Sequence, residues 1–165
     1  MSPCRSTADG ADLTRRLKSR FGDVADVIAQ HPEKWTFPTP FKDVVATALA
    51  MLPTEFSPVV VHSNLGPTHV FHNGDGALTG LIDFGDSYLS HPAMDLRSWP
   101  DPADRVALRN AYLGSRPPQP DFDTAWAAGM IAIDTAVLVT QPGHAPAAAT
   151  ATATAADLAT RLGAD

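Results

Sequence analysis

Residues 59–99 read VVVHSNLGPTHVFHNGDGALTGLIDFGDSYLSHPAMDLRSW, a stretch whose texture differs from the sequence on either side of it. Val59-Val60-Val61 is a β-branched run, short enough to be a buried strand. His69-Val70-Phe71-His72 and Leu78-Thr79-Gly80-Leu81-Ile82 then flank Asn73-Gly74-Asp75-Gly76. Asparagine and glycine tolerate positive φ, so this spacing predicts a β-hairpin. On a strand, His69 and His72 would point to opposite faces and could not line one site together. After Phe84 the chain is expected to return to helix.

On the N-terminal side, Leu13, Leu17, Phe21 and Val24 recur at helical spacing from Ala11 to about Gln30, with a weak point at Gly22. His31-Pro32 ends that helix, and proline punctuates the connection up to Pro40. A second helix is expected from Phe41 to Leu52, stopped by Pro53. On the C-terminal side, Asp101-Pro102 supplies an N-cap and a first-turn proline, and Gly114 closes the helix. A longer apolar helix starts at Asp121 or Asp123, both read as helix caps, and runs to about Thr140. The Ala/Thr run that follows suits either a terminal helix or a disordered segment. Residues 1–10 are thus expected to be a flexible N-terminus, 11–144 a folded lobe and 145–165 an Ala/Thr-rich tail. The fold class is mainly α with a small β-hairpin insertion (α+β).

The 165 residues carry a net charge of −6, which disfavours nucleic acid or an anionic membrane surface as partner. The single cysteine, Cys4, excludes an intrachain disulfide and fits a cytoplasmic location. The first ten residues lack the apolar core of a signal peptide. The apolar stretch Gly129 to Val139 is short for a bilayer and contains Asp134. An unpaired carboxylate there would be costly. It is expected to pair with an arginine such as Arg97, or else to form an anionic wall for a cationic substrate. No His/Cys spacing among the six histidines supports a zinc site.

Three elements of the opening stretch fall in register: His62-Ser63-Asn64-Leu65-Gly66-Pro67-Thr68-His69, Ile82-Asp83-Phe84-Gly85-Asp86 and Pro92-Ala93-Met94-Asp95-Leu96. Their order, spacing and intervening hairpin resemble the catalytic lobe of the aminoglycoside-phosphotransferase/choline-kinase family, which has a protein-kinase-like fold. The resembling stretch spans about a quarter of the chain. The resemblance implies that Asp83 is a ligand for Mg²⁺ and that His69 holds the second metal-ligand position. It makes His62 a brace for the loop, Asp95 an acceptor for loop backbone, and Asp86 an acid at the rim. The structural alternative for Asp83 is a carboxylate closing the hairpin turn. Asn64 stands where the family carries its catalytic aspartate, and an amide cannot accept a proton at neutral pH.

The 61 residues before His62 read as helices without a Gly-rich strand pair or a lysine in strand context, so the family's ATP-gripping N-terminal lobe is expected to be absent. Loss of a general base costs roughly 10²–10⁴-fold in rate, and an ATP site with one open wall should bind ATP poorly. Three functions are therefore consistent with the sequence. One is a truncated, pseudokinase-like lobe that binds a small molecule or divalent metal. Another is an enzyme repurposed for acid/base chemistry, such as cyclisation or elimination in a biosynthetic pathway. The third is the C-terminal lobe of a split phosphotransferase. A homodimer or partner chain is expected to cover the surface around Val59–Val61 and the hairpin.

Overall fold

The computed structural model describes residues 10–30, 41–119, 121–141 and 143–161. The expectations for the flexible N-terminus before Gly10 and for the proline-punctuated connection at 31–40 lie outside the described residues. Five helices are described: α1 (Gly10–Gln30), α2 (Phe41–Ala50), α3 (Pro102–Ser115), α4 (Phe122–Thr140) and α5 (Ala145–Arg161). Four short strands lie between α2 and α3: β1 (Val59–Val61), β2 (Val70–His72), β3 (Leu78–Leu81) and β4 (Tyr88–Ser90). The architecture is mainly helical with a small antiparallel β component.

The bundle is organised around α4, which touches α1, α2, α5 and the 3-10 turn Pro92–Met94. Small side chains explain how several elements approach it: Ala125, Ala127, Ala128, Gly129 and Ala132 are all buried. From α1, Leu13, Leu17 and Phe21 enter the same core, and α1 passes Gly22 without interruption. Burying each such side chain is worth about 1.5–3 kcal/mol, which outweighs the ~1 kcal/mol cost of a helical glycine. By length and composition α4 is long enough to cross a membrane. Here it is the central helix of the bundle, and its buried carboxylate is ion-paired.

The Ala/Thr-rich run forms α5, which buries Ala147 and Ala151 and packs mainly on α4. Asp101 caps α3, its carboxylate accepting from the Ala103 amide at 2.7 Å, with Pro102 at the first helical position. Two cap expectations need correction. Asp121 holds the N-cap position of α4 at φ 56° but makes no side-chain cap bond, and Asp123 pairs instead with Arg109. Gly114 lies inside the last turn of α3, and α2 stops at Ala50, two residues short of Leu52.

The hairpin forms as expected. β2 pairs antiparallel with β3, Val70 facing Leu81 and Phe71 facing Gly80, with an irregularity before His72. Asn73 organises the turn, its Oδ1 accepting from the Asp75 and Ala77 amides, while Gly76 takes φ +80°. The strand β4 was not expected. Instead of returning to helix after Phe84, the chain makes a 3-10 turn, Phe84–Asp86, and pairs Tyr88–Ser90 antiparallel with β1. This second two-stranded sheet ties the segment after the Asp83 turn to the segment before the Asn64 loop. It thereby sets the two motif-bearing loops side by side.

Candidate functional site

The site begins with Asp95. One carboxylate oxygen accepts from the His62 amide at 2.9 Å and the other from the Ser63 amide at 2.8 Å. Ser63 adopts φ 71°, a left-handed conformation that costs a residue with a side chain roughly 1–2 kcal/mol. Two hydrogen bonds to a charged acceptor contribute about 1.5–3 kcal/mol each, so the carboxylate holds the strained loop in place. Ser63 Oγ donates to the carbonyl of Asp86 at 2.9 Å, joining this loop to the Phe84–Asp86 turn.

His62 makes the second tie. The residue is buried, and its Nε2 lies 2.6 Å from the Ile82 carbonyl oxygen. A carbonyl only accepts, so this nitrogen carries the proton. The ring packs against Phe84 and stacks on His69, with centroids 4.7 and 5.7 Å away. His62 therefore fixes the backbone immediately before Asp83.

Asp83 itself sits at φ 67°, ψ 54°, one of the left-handed positions that aspartate tolerates better than most residues. That conformation starts the Phe84–Asp86 turn and leaves the Asp83 side chain 60% exposed, with Oδ2 3.6 Å from His69 Nε2. His69 does not lie on a strand, as the sequence suggested. It ends the 3-10 turn Pro67–His69, and its Nδ1 lies 2.7 Å from the Asn64 carbonyl oxygen. By the same donor rule Nδ1 carries a proton. In the neutral ring, Nε2 then directs a lone pair at the Asp83 carboxylate. Two acceptors at that separation on an exposed rim can be bridged by a water molecule or by a cation.

Through the Asn64 carbonyl, His69 and Ser63, the Asn64 loop and the Asp83–Asp86 turn therefore adjoin along one open rim, braced by His62 and Asp95. His72 is exposed on β2 and bonded only to the carbonyl of Asn73, so it does not belong to the rim. Among the described residues no three His, Cys, Asp or Glu side chains converge as a metal cage. Asp83 and His69 fit a divalent cation only as two ligands of an open shell, the remainder coming from water or ligand oxygens.

Asp134 is elsewhere. It is buried on α4 and accepts from Arg105 Nη1 at 2.7 Å. Arg105 Nε also donates to the carbonyl of Trp99 at 2.5 Å. The partner is thus Arg105 rather than Arg97, and a carboxylate enclosed in an ion pair is no wall for a cationic substrate. Burial pushes the Asp134 carboxyl above the usual carboxylate range, and Arg105 opposes that rise.

Sequence reasoning gave Ser63 no role and considered Arg97 only as a partner for Asp134, which it is not. The signal for Ser63 was its place between two motif residues. Arg97 directly follows the Pro92–Leu96 element, and only the packing shows that it is buried.

A model of the phosphotransferase enzyme family matches residues 5–130, about three-quarters of the chain. No curated protein and no solved structure matches it. The matched span contains the whole rim and ends inside α4.

Proposed function

The chain belongs to the phosphotransferase enzyme family, and from that premise we propose that it binds a divalent cation and a small molecule at the Asn64–Asp83 rim without transferring phosphate by itself. The observation that carries this reading is Asn64. The residue stands on a loop held in place by Asp95 and His62, so the frame of the family's site is kept while its base is an amide. An amide orients a bound hydroxyl through hydrogen bonds but removes no proton from it. His69 is held by the Asn64 carbonyl with Nε2 turned to the cation position, and Asp83 offers one oxygen there. A carboxylate–imidazole pair suits Mn²⁺ better than Mg²⁺, which prefers oxygen ligands alone. When bound, such an ion supplies positive charge against an oxyanion. Asp86 closes the rim beside it.

The net charge of −6 supports a small-molecule partner over nucleic acid or an anionic membrane, and the single cysteine fits a cytoplasmic location. A specific observation supports self-association as a second element of the proposal. Val60, Leu78 and Phe84 are 68%, 63% and 52% exposed, and Phe71 and Ile82 are also exposed nearby. Leaving such side chains in water is unfavourable by about 25 cal/mol per Å², so a second copy of the chain is the proposed cover.

The test is Mn²⁺ binding followed by electron paramagnetic resonance, alongside ATP turnover with aminoglycoside or choline acceptors. The native chain is expected to bind Mn²⁺, to lose it in Asp83→Asn, and to show no turnover. Turnover above background that disappears in Asp83→Asn would show a working kinase. Product formation from a pathway substrate without ATP would favour the repurposed acid/base enzyme.

A further inference from the structure

Behind the Asn64 loop, on the side away from neither motif alone but bounded by α1 and β4, lies a cavity of about 310 Å³ whose lining includes Arg16, Arg20, Arg97, Tyr88, Ser63 and Asp23. Three arginines and one aspartate line it; Arg16 is paired with Asp12, so Arg20 and Arg97 carry the positive charge not matched by a carboxylate partner among the described residues, in a chain that is acidic overall. Arg97 is 5% exposed and its Nε has no hydrogen-bond partner. Its Nη1 reaches only the sulfur of Met94, at 3.4 Å, a weak acceptor. Asp95, two residues away, already accepts from the amides of His62 and Ser63. Neither Arg97 nor Arg20 has a carboxylate ion-pair partner among the described residues.

A buried guanidinium without an anion is costly, and buried charges in proteins are ordinarily paired. The packing nevertheless reserves room for this one. A Cβ on Gly129 would come within 2.9 Å of Arg97 Cδ and 3.0 Å of Met94 Cε, so the glycine on α4 is what lets the arginine stem lie there. Burial, with Arg20 adding to it, depresses the Arg97 guanidinium below its usual range, while Tyr88 and Asp95 oppose the fall. Arg16 is already oriented, its guanidinium stacked over the Tyr88 ring at 4.2 Å and its Nε donating to Asp12 at 2.9 Å.

We propose that this cavity binds the phosphate group of a small phosphate monoester, held by Arg97 from within and by Arg20 and Arg16 from the mouth. A phosphate anion supplies the counter-charge that Arg97 and Arg20 lack, and the planar donor fork of arginine suits phosphate oxygens. The volume lies at the lower end of small-molecule sites, enough for the phosphate and a short organic remainder. Ser63 belongs to both this cavity and the loop carrying Asn64, so occupancy also braces the loop from behind.

The experiment is calorimetric titration of the full chain with inorganic phosphate, with acetate and chloride at matched ionic strength, in native protein, Arg20→Gln and Arg97→Met. Arg20 is exposed, so Arg20→Gln should fold normally and weaken phosphate binding roughly tenfold. Arg97→Met should weaken it roughly tenfold to a hundredfold while melting no lower than the native chain, since a buried charge is removed. Both variants should keep Mn²⁺ binding at the rim, which separates this site from the proposed cation site. No binding of phosphate by the native chain at millimolar concentration would overturn the proposal. Equal binding in Arg20→Gln, or acetate binding as tightly as phosphate, would also overturn it.

Discussion

Two aspartates, each beside a nitrogen-bearing side chain, contrast two regions of this molecule. Asp134 and Arg105 meet at 2.7 Å inside the helical bundle, both almost fully buried, while Asp83 and His69 stand 3.6 Å apart on the open rim. The first pair is walled in by α3 and α4, and its Arg105 has a further backbone partner, so little of its charge is left for any ligand. The second is left incomplete by the donor pattern of His69 and is open to solvent. An aspartate beside a nitrogen-bearing side chain is thus enclosed in the core in one place and left open to solvent in the other. Burial decides which.

Breaking the buried pair is the most severe test of that contrast. Asp134→Ala leaves Arg105 uncompensated and should cost about 3–5 kcal/mol, measured by urea unfolding. The double variant Arg105→Met with Asp134→Leu should recover most of that loss, because well-packed apolar groups of similar volume replace both charges. If it recovers nothing, the pair contributes more than mutual neutralisation.

The next effect falls on the rim's scaffold. Asp95→Ala removes the acceptor for two backbone amides that hold Ser63 at positive φ, and should cost about 2–3 kcal/mol. It should also abolish Mn²⁺ binding although Asp95 is no ligand. A variant that loses stability but keeps the ion would show that the loop holds its shape without this carboxylate.

A pH series sharpens the comparison further. The folded Asp134 carboxyl lies above its ordinary value of 3.8, so the native state holds the proton more tightly than the unfolded chain. Stability attributable to this group is therefore greatest in acid and is lost as pH rises from 3.8 through the raised value. The difference in melting temperature between the native chain and the double variant should move against the native chain over that window. A flat difference would mean that Arg105 offsets the burial completely.

Smaller effects belong to the exposed region. Leu78→Lys should leave stability within about 0.5 kcal/mol yet shift sedimentation toward monomer, since Leu78 is 63% exposed and belongs to the proposed dimer surface. Native protein that sediments as a strict monomer at high micromolar concentration would remove the proposed dimer. Asp83→Asn should also change stability by no more than about 0.5 kcal/mol, because its side chain is largely solvated. Its measurable consequence should be loss of bound Mn²⁺.

Much of this was legible in the chain itself. Asn73-Gly74-Asp75-Gly76 and its flanking apolar runs specify a hairpin through local backbone preferences, and Asp101-Pro102 specifies a helix start in the same way. The three motif elements point to the family from residue order alone. These features depend on neighbours within a few positions, so the sequence carries them directly.

Tertiary structure decided the rest. Tyr88-Leu89-Ser90 becomes β4 only because β1, some thirty residues earlier, lies beside it. Arg105 rather than Arg97 reaches Asp134, since α3 presents Arg105 to α4 while Arg97 is drawn into the space opposite Gly129. His69 turns toward Asp83 because a 3-10 turn, not a strand, ends there and the Asn64 carbonyl orients its ring. Each outcome depends on which side chains meet across long sequence separations, a choice set by packing and by the need to satisfy buried polar groups, to which local pattern is blind.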